Sequence, residues 1–196
     1  ADLSTDRVKD YVFDFDRIQD RATYPSPMRV LGRHFPRDRP PWEIFVNVAG
    51  RRYFQEDVLS HHVYERALAE QPDERCWAIF DEAIYRAAPT LAQGGFGGPW
   101  SEDDTQRAFD DGDVPMFHKA DSIEQLATKA GVHPAGLAAT VAEYNRAQAG
   151  GQDAFGRKHM PLPIAKAPFF AIQLQSWNLT SYAGVAADGQ LRVVRR

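Results

Sequence analysis

Glu43-Ile44-Phe45-Val46-Asn47-Val48-Ala49-Gly50-Arg51-Arg52-Tyr53-Phe54-Gln55 holds two β-prone segments, Glu43 to Asn47 and Arg52 to Gln55, flanking Val48 to Arg51. The stretch reads as a hairpin, with Gly50 supplying a positive φ. Upstream, Pro25, Pro27, Pro36, Pro40 and Pro41 remove amide donors and extend the residues before them. Residues 1–41 are therefore expected to form an irregular segment wrapping a surface, and one domain is expected over residues 42–196.

Downstream, Asp57 to Glu70 lacks Gly and Pro, and Val58, His61 or His62, Glu65 and Leu68 recur at helical spacing. Cys76 to Phe80 is a short apolar run ending at Asp81, the pattern of a buried strand. Glu82 to Ala88 allows one or two helical turns before Pro89. Gly94-Gly95-Phe96-Gly97-Gly98-Pro99 is a strong breaker, marking a loop or a close backbone approach. Asp121-Ser122-Ile123-Glu124 has the layout of a capping box, and Gly131 can close the helix it starts. A second helix from about Pro134 to Ala149 places Leu137, Val141 and Tyr144 on one face and stops at Gly150-Gly151. Phe169 to Leu174 reads as a strand, and Asp188-Gly189 as a hairpin turn between Val185 and Leu191 to Val194. This mixture favours α+β, a small mixed or antiparallel sheet with packed helices, over a regular βαβ alternation.

The chain has 196 residues, enough for one ordinary domain; 43% are hydrophobic and 12% aromatic, which excludes global disorder. Lys and Arg number 23 against 27 Asp and Glu, so no basic excess favours nucleic acid. No run approaches the roughly 18 apolar residues of a membrane span, and the first ten residues show no secretion signal. The lone Cys76 offers no disulfide framework and fits a reducing compartment, the cytoplasm by default.

His61 and His62 are adjacent, and neighbouring helix positions diverge by roughly 100°, so the pair is a poor metal site. Asp103-Asp104 and Asp110-Asp111-Gly112-Asp113 lack the alternation and terminal Glu of a calcium loop and read as a solvated acidic surface. Ser60 beside His61 has no glycine elbow. Arg51, Arg52, Glu56 and Arg86 flank short strands, where a rigid backbone can hold charge at the edge of a cleft. Guanidinium groups bind carboxylates bidentately, and a Glu beside an Arg can relay a proton.

The segments Ile44 to Asp57, Trp77 to Asp81, Asp121 to Ala127, Leu137 to Asn145, Gly151 to Arg157 and Pro163 to Ala171 together resemble the fumarate reductase/succinate dehydrogenase flavoprotein family. The branch that looks closest is the set of FAD-dependent dehydrogenases that includes ketosteroid dehydrogenases. The order is that of the family's capping, substrate-facing domain. The resemblance implies a cap closing over flavin and substrate, with FAD bound in the full-length protein and the missing FAD-binding domain of the same polypeptide as partner. The glycines at 94–98 fail the dinucleotide fingerprint in spacing and context, so the chain reads as an excised fragment, inactive alone and binding no cofactor itself.

By the same resemblance Arg52 and Glu56 match an element whose Glu lies on a proton path. Arg86 stands one residue beyond the place of the family's Arg acid. Thr180 replaces the family's substrate-binding His, before Ser181-Tyr182-Ala183-Gly184, and Ser60 stands where an Arg often occurs. These departures imply a small-molecule substrate less charged than a dicarboxylate, such as a cyclic ketone, with Thr180 and Ser181 beside it. An isolated cap should expose an apolar face meant for the FAD domain and self-associate through it. The second reading is a non-catalytic ligand-binding or interaction module that keeps the fold.

Overall fold

Cys76 to Phe80 lies in the central strand, β2 (Arg75–Asp81), whose residues from Cys76 onward are all buried. The computed structural model describes residues 40–58, 61–88, 93–94, 98–99, 102–110, 116–175, 188–190 and 192. On one side β2 pairs with β1 (Ile44–Val46), Phe45 opposite Ala78, and on the other with β6 (Phe169–Gln175), Ala78 opposite Ile172. With β5 (Phe117–Ala120) on the far edge, the sheet has the order β1-β2-β6-β5, and every pairing is antiparallel. The α+β expectation agrees with this sheet and its packed helices.

Side chains alternate across a strand, so Phe45, Ala78, Phe80, Phe170, Ile172 and Phe117 share one face. Helix α1 (His61–Ala69) covers it through Tyr64, which meets Phe45, Phe54 and Cys76. Helices α2 (Glu82–Ala87) and α3 (Glu102–Asp110) add Tyr85 and Phe109 to a cluster with Phe80 and Phe170, ring centroids 4.7 to 6.1 Å apart. Such offset and edge-on contacts add to the area the rings bury. Helix α4 (Ile123–Ala130) packs on β5, β6 and α5 (Pro134–Gln148).

Several starts and stops follow sequence signals. The Asp81 carboxylate accepts from the Ile84 amide and caps α2, and Gly131, at φ 71°, ends α4. The cap of α4 is Ser122, one residue later than the Asp121 layout suggests, its Oγ accepting from the Gln125 amide. Leu137, Val141 and Tyr144 are buried as expected, and α5 is capped by His133, whose Nδ1 accepts from the Gly136 amide. In α1 the buried pair is Tyr64 and Leu68; Leu68 belongs to the expected stripe, Tyr64 does not, and Val58 precedes the helix.

The expected hairpin is corrected. Residues 52–55 form no strand, and the partner of β1 is β2, some thirty residues on. The reason is in the side chains: Phe54 is needed in the core beside Phe45 and Tyr64, and Arg52 closes on Glu56. In a strand, residues four apart would sit about 13 Å from each other, so the segment bends instead. Gly50 does have φ 71°, in a turn closed by the Gly50 amide on the Asn47 carbonyl.

That turn docks on α5. A Cβ on Gly50 would lie 2.3 Å from the Leu137 nitrogen, and one on Gly136 1.9 Å from the Ala49 carbonyl oxygen. The Thr140 hydroxyl donates to the Gly50 carbonyl at 2.6 Å. Gln93–Gly94 pairs with Gly98–Pro99 as a small antiparallel ladder, β3 and β4, so the ends of the glycine stretch approach each other closely, while residues 95–97 lie outside the described residues. Asp188 accepts from the Gln190 and Arg192 amides, as its turn requires, while the strands expected around it lie outside the described residues.

Substituting Gly50 or Gly136 by Ala should lower stability by more than about 2 kcal/mol, because backbone must move. Gly131→Ala, with nothing within 4 Å of the new methyl, should cost only about 1 kcal/mol, the left-handed backbone alone. Chemical denaturation of the three variants checks the ranking.

Candidate functional site

Arg52 and Glu56, singled out from residue type, meet in the structure. The guanidinium Nε and Nη2 donate to the two Glu56 carboxylate oxygens, each at 2.6 Å. Their side chains are 6% and 0% exposed. A bidentate pair out of water holds both partners in one geometry.

The same guanidinium reaches Asp153, Nη1 to Oδ2 at 2.5 Å and Nη2 to Oδ1 at 3.3 Å. Asp153 lies in the loop after α5 and also accepts from the Phe155 and Arg157 amides. The fully buried Arg157 lies 3.5 Å from Glu56 and donates to the carbonyls of Pro41, Glu43 and His159. Its guanidinium also sits 5.4 Å from the Tyr144 ring centre. Two arginines and two carboxylates thus balance in charge, which offsets the cost of burying them.

The pairing has a register. Arg52 binds Asp153, the Gln55 amide donates to the Gly156 carbonyl, and the Asp57 carboxylate accepts from the Lys158 amide, all 101 residues apart. Asp57 also accepts from the amide of His159 and the side-chain amide of Gln55. The two segments run side by side and are laced by side chains rather than by a backbone ladder.

The charges respond accordingly. Burial pushes the Arg52 guanidinium down, but the bonds and charge of Glu56 and Asp153 outweigh it and hold it above its usual range. Burial raises Asp153, yet Arg52 and the two backbone amides keep it below the ordinary carboxylate value. Asp57 is lowered against burial by the His159 and Lys158 amides, by Gln55 and by Arg157. Burial pushes the Cys76 thiol up to about 11, so this free cysteine is no nucleophile at neutral pH.

The other expected residues lie elsewhere or outside the described set. Arg86, on α2, is exposed and pairs with Glu82 at 2.8 Å and Glu102 at 2.5 Å, not with the Arg52 group. Thr180 and Ser181 are outside the described residues, as is Ser60. The acidic surface is there in part: Asp110 is exposed and bonded to Gln106 and Lys119, while 111–113 are not described. Among the described residues no group of His, Cys, Asp or Glu could hold a metal ion, and no helix is long and apolar enough to cross a membrane.

A flavin dinucleotide needs a cradle for its pyrophosphate, usually a glycine turn leading from a parallel strand into a helix. All described strand pairs are antiparallel, and the glycines at 94 and 98 lie within a ladder. The described residues do not fit that group.

The chain belongs to the FAD binding domain family, whose pattern matches residues 36–196. It is 30% identical over 176 residues to the probable fumarate reductase Ifc3 of Shewanella frigidimarina (strain NCIMB 400), covering 89% of this chain and 26% of that protein. It is 31% identical over 174 residues to the 4-oxocyclohex-2-ene-1-carboxylate 5-dehydrogenase of Sinomonas cyclohexanicum, covering 79% of this chain and 28% of the relative. It therefore spans little more than a quarter of the length of these relatives. Among solved structures, the open form of a flavocytochrome c3 fumarate reductase matches 76% of this chain and 22% of its own, at 30% identity and TM-score 0.53. The solution structure of a fumarate reductase flavoprotein subunit from Lactobacillus plantarum, 18% identical, shares the fold at TM-score 0.56 over 79% of this chain and 97% of its own. The small antiparallel sheet with its helices is thus a fold found in fumarate reductase flavoproteins, and membership of the family implies FAD in the full-length relatives.

Asp153 and Asp57, held below the unfolded value near 3.9, contribute stability above that pH and lose it as pH falls through their folded values. Asp153→Asn should therefore cost about 2 kcal/mol at neutral pH. The gap to the parent should close below about pH 4. Denaturation curves across that range check both.

Proposed function

We propose that this chain is the cap of a larger FAD-dependent oxidoreductase, closing over flavin and substrate during dehydrogenation or reduction of a carbon–carbon bond. The observation that carries the reading is the wholly antiparallel described sheet in a member of an FAD-binding family: a dinucleotide-binding half would supply parallel strands. FAD, bound by the rest of the polypeptide, would supply the redox chemistry. The cap's part is to exclude water and fix charge beside the substrate.

Within that reading the residues divide by their surroundings. Arg52 and Glu56 are buried, so they act as positioning residues: they fix the segment 50–57 against 151–159, and a proton path through Glu56 would run along this bridge. Arg86, on a short helix and more than half exposed, is free to exchange Glu82 and Glu102 for a substrate and serves as the proton donor. Thr180 and Ser181 contact the substrate without adding a cation, which suits a cyclic ketone better than a dicarboxylate. The partner surface is the FAD domain, and the chain alone would self-associate through the face that meets it. A non-catalytic module keeping this fold is not favoured by the similarity to a fumarate reductase and a dehydrogenase.

Two measurements test this. The chain alone should retain no FAD on desalting; stoichiometric retention would contradict the cap assignment. In the whole enzyme, Arg86→Gln should slow turnover more than about tenfold with flavin content and folding unchanged, and an unchanged rate removes Arg86 from the reaction.

A further inference from the structure

Two hollows share Arg51, Thr140 and Glu143 in their walls. One, about 560 Å³, lies between Arg51, Arg52, the second half of α5 and the loop 151–155; the other, about 340 Å³, lies beside the first turn of α5 at His133 and Gly136. Together they make a trough along α5 of the size that small molecules occupy. We propose that this trough binds a small organic carboxylate with a flat apolar body. The proposal does not depend on the cap reading.

Charge is the first argument. Arg51 and Arg146 are exposed in the larger hollow, and their side chains make no ion pair or hydrogen bond with any described residue. Asp153 does not neutralise them: it is buried, and its oxygens are taken by Arg52 and by the amides of residues 155 and 157. Among the described residues of the walls Glu143 is the one exposed carboxylate, so there two guanidinium groups without a described partner face one such anion. That leaves capacity for one further carboxylate, which a guanidinium takes up in bidentate fashion.

The apolar part has a floor. Phe155 is 38% exposed, one of three such large hydrophobics among the described residues, and with Ala147 and Ala154 it lines the same hollow. The Arg52 guanidinium lies 5.1 Å from its ring centre, and Arg52 is held in turn by Glu56 and Asp153, so the ring stands on a fixed support. The smaller hollow is walled by His133, whose Nδ1 accepts from the Gly136 amide and so fixes the ring beside the first turn of α5.

The test is an amide-resolved NMR titration of the full chain with benzoate, inorganic phosphate and benzyl alcohol. Benzoate should cause saturable shifts confined to residues 51–52, 143–147 and 151–155. Phosphate, with charge and no flat body, should bind at least about tenfold more weakly, and benzyl alcohol should not saturate. The double variant R51A/R146A removes two side chains that hold nothing in the fold, and should weaken benzoate at least about tenfold while leaving the remaining spectrum in place. E143Q should tighten it. Unsaturable benzoate shifts, phosphate binding as tightly, or undiminished binding by R51A/R146A would each overturn the proposal.

Discussion

The buried bridge from Arg52 to Glu56 and Asp153 is the constraint on which the arrangement depends. Two carboxylates and two guanidinium groups lie out of water, and each is tolerable only while the others are in place. The segment after β1 cannot run on as a strand because it must bend to bring Glu56 under Arg52. The loop after α5 cannot drift because Asp153 and Arg157 are bonded back to residues 41–56. Packing of the turn at Gly50 on Gly136 and Leu137 then sets α5 against the same segment.

Much of this was legible. β2 and β6 stand out as apolar runs, α4 by a capping layout read one residue early and its glycine stop, and α5 by Pro134, its buried stripe and the glycines after it, because these signals are local. What escaped depends on distance. α3 carries a weak signal since only Thr105, Ala108 and Phe109 are buried among its described side chains and the remainder reads as acidic surface. β5, Phe-His-Lys-Ala, is a four-residue edge strand with no β-branched residue. The hairpin expectation failed because local β propensity at 52–55 gave way to tertiary demands on Phe54 and Glu56.

The site shows the same division. Arg52 and Glu56 drew attention as charges flanking strands, but nothing local says that they meet residues 153 and 157. A signal was present: Asp153 and Arg157 stand among glycines in Gly151 to Arg157, in a segment whose resemblance is to the same family as Arg52 to Glu56. The constant offset of 101 residues can only be seen once α5 has brought the segments together. Arg86 shows the converse, a charge noticed beside a strand end that stays at the surface with Glu82 and Glu102.

The most direct measurement of the central claim is a double-mutant cycle on Arg52 and Asp153, using Arg52→Met, Asp153→Asn and the pair, with stability read by chemical denaturation. A shared buried network predicts coupling of at least about 1.5 kcal/mol, the double variant losing far less than the sum of the singles. Additive losses would contradict it, and would mean that the two segments are held by packing alone.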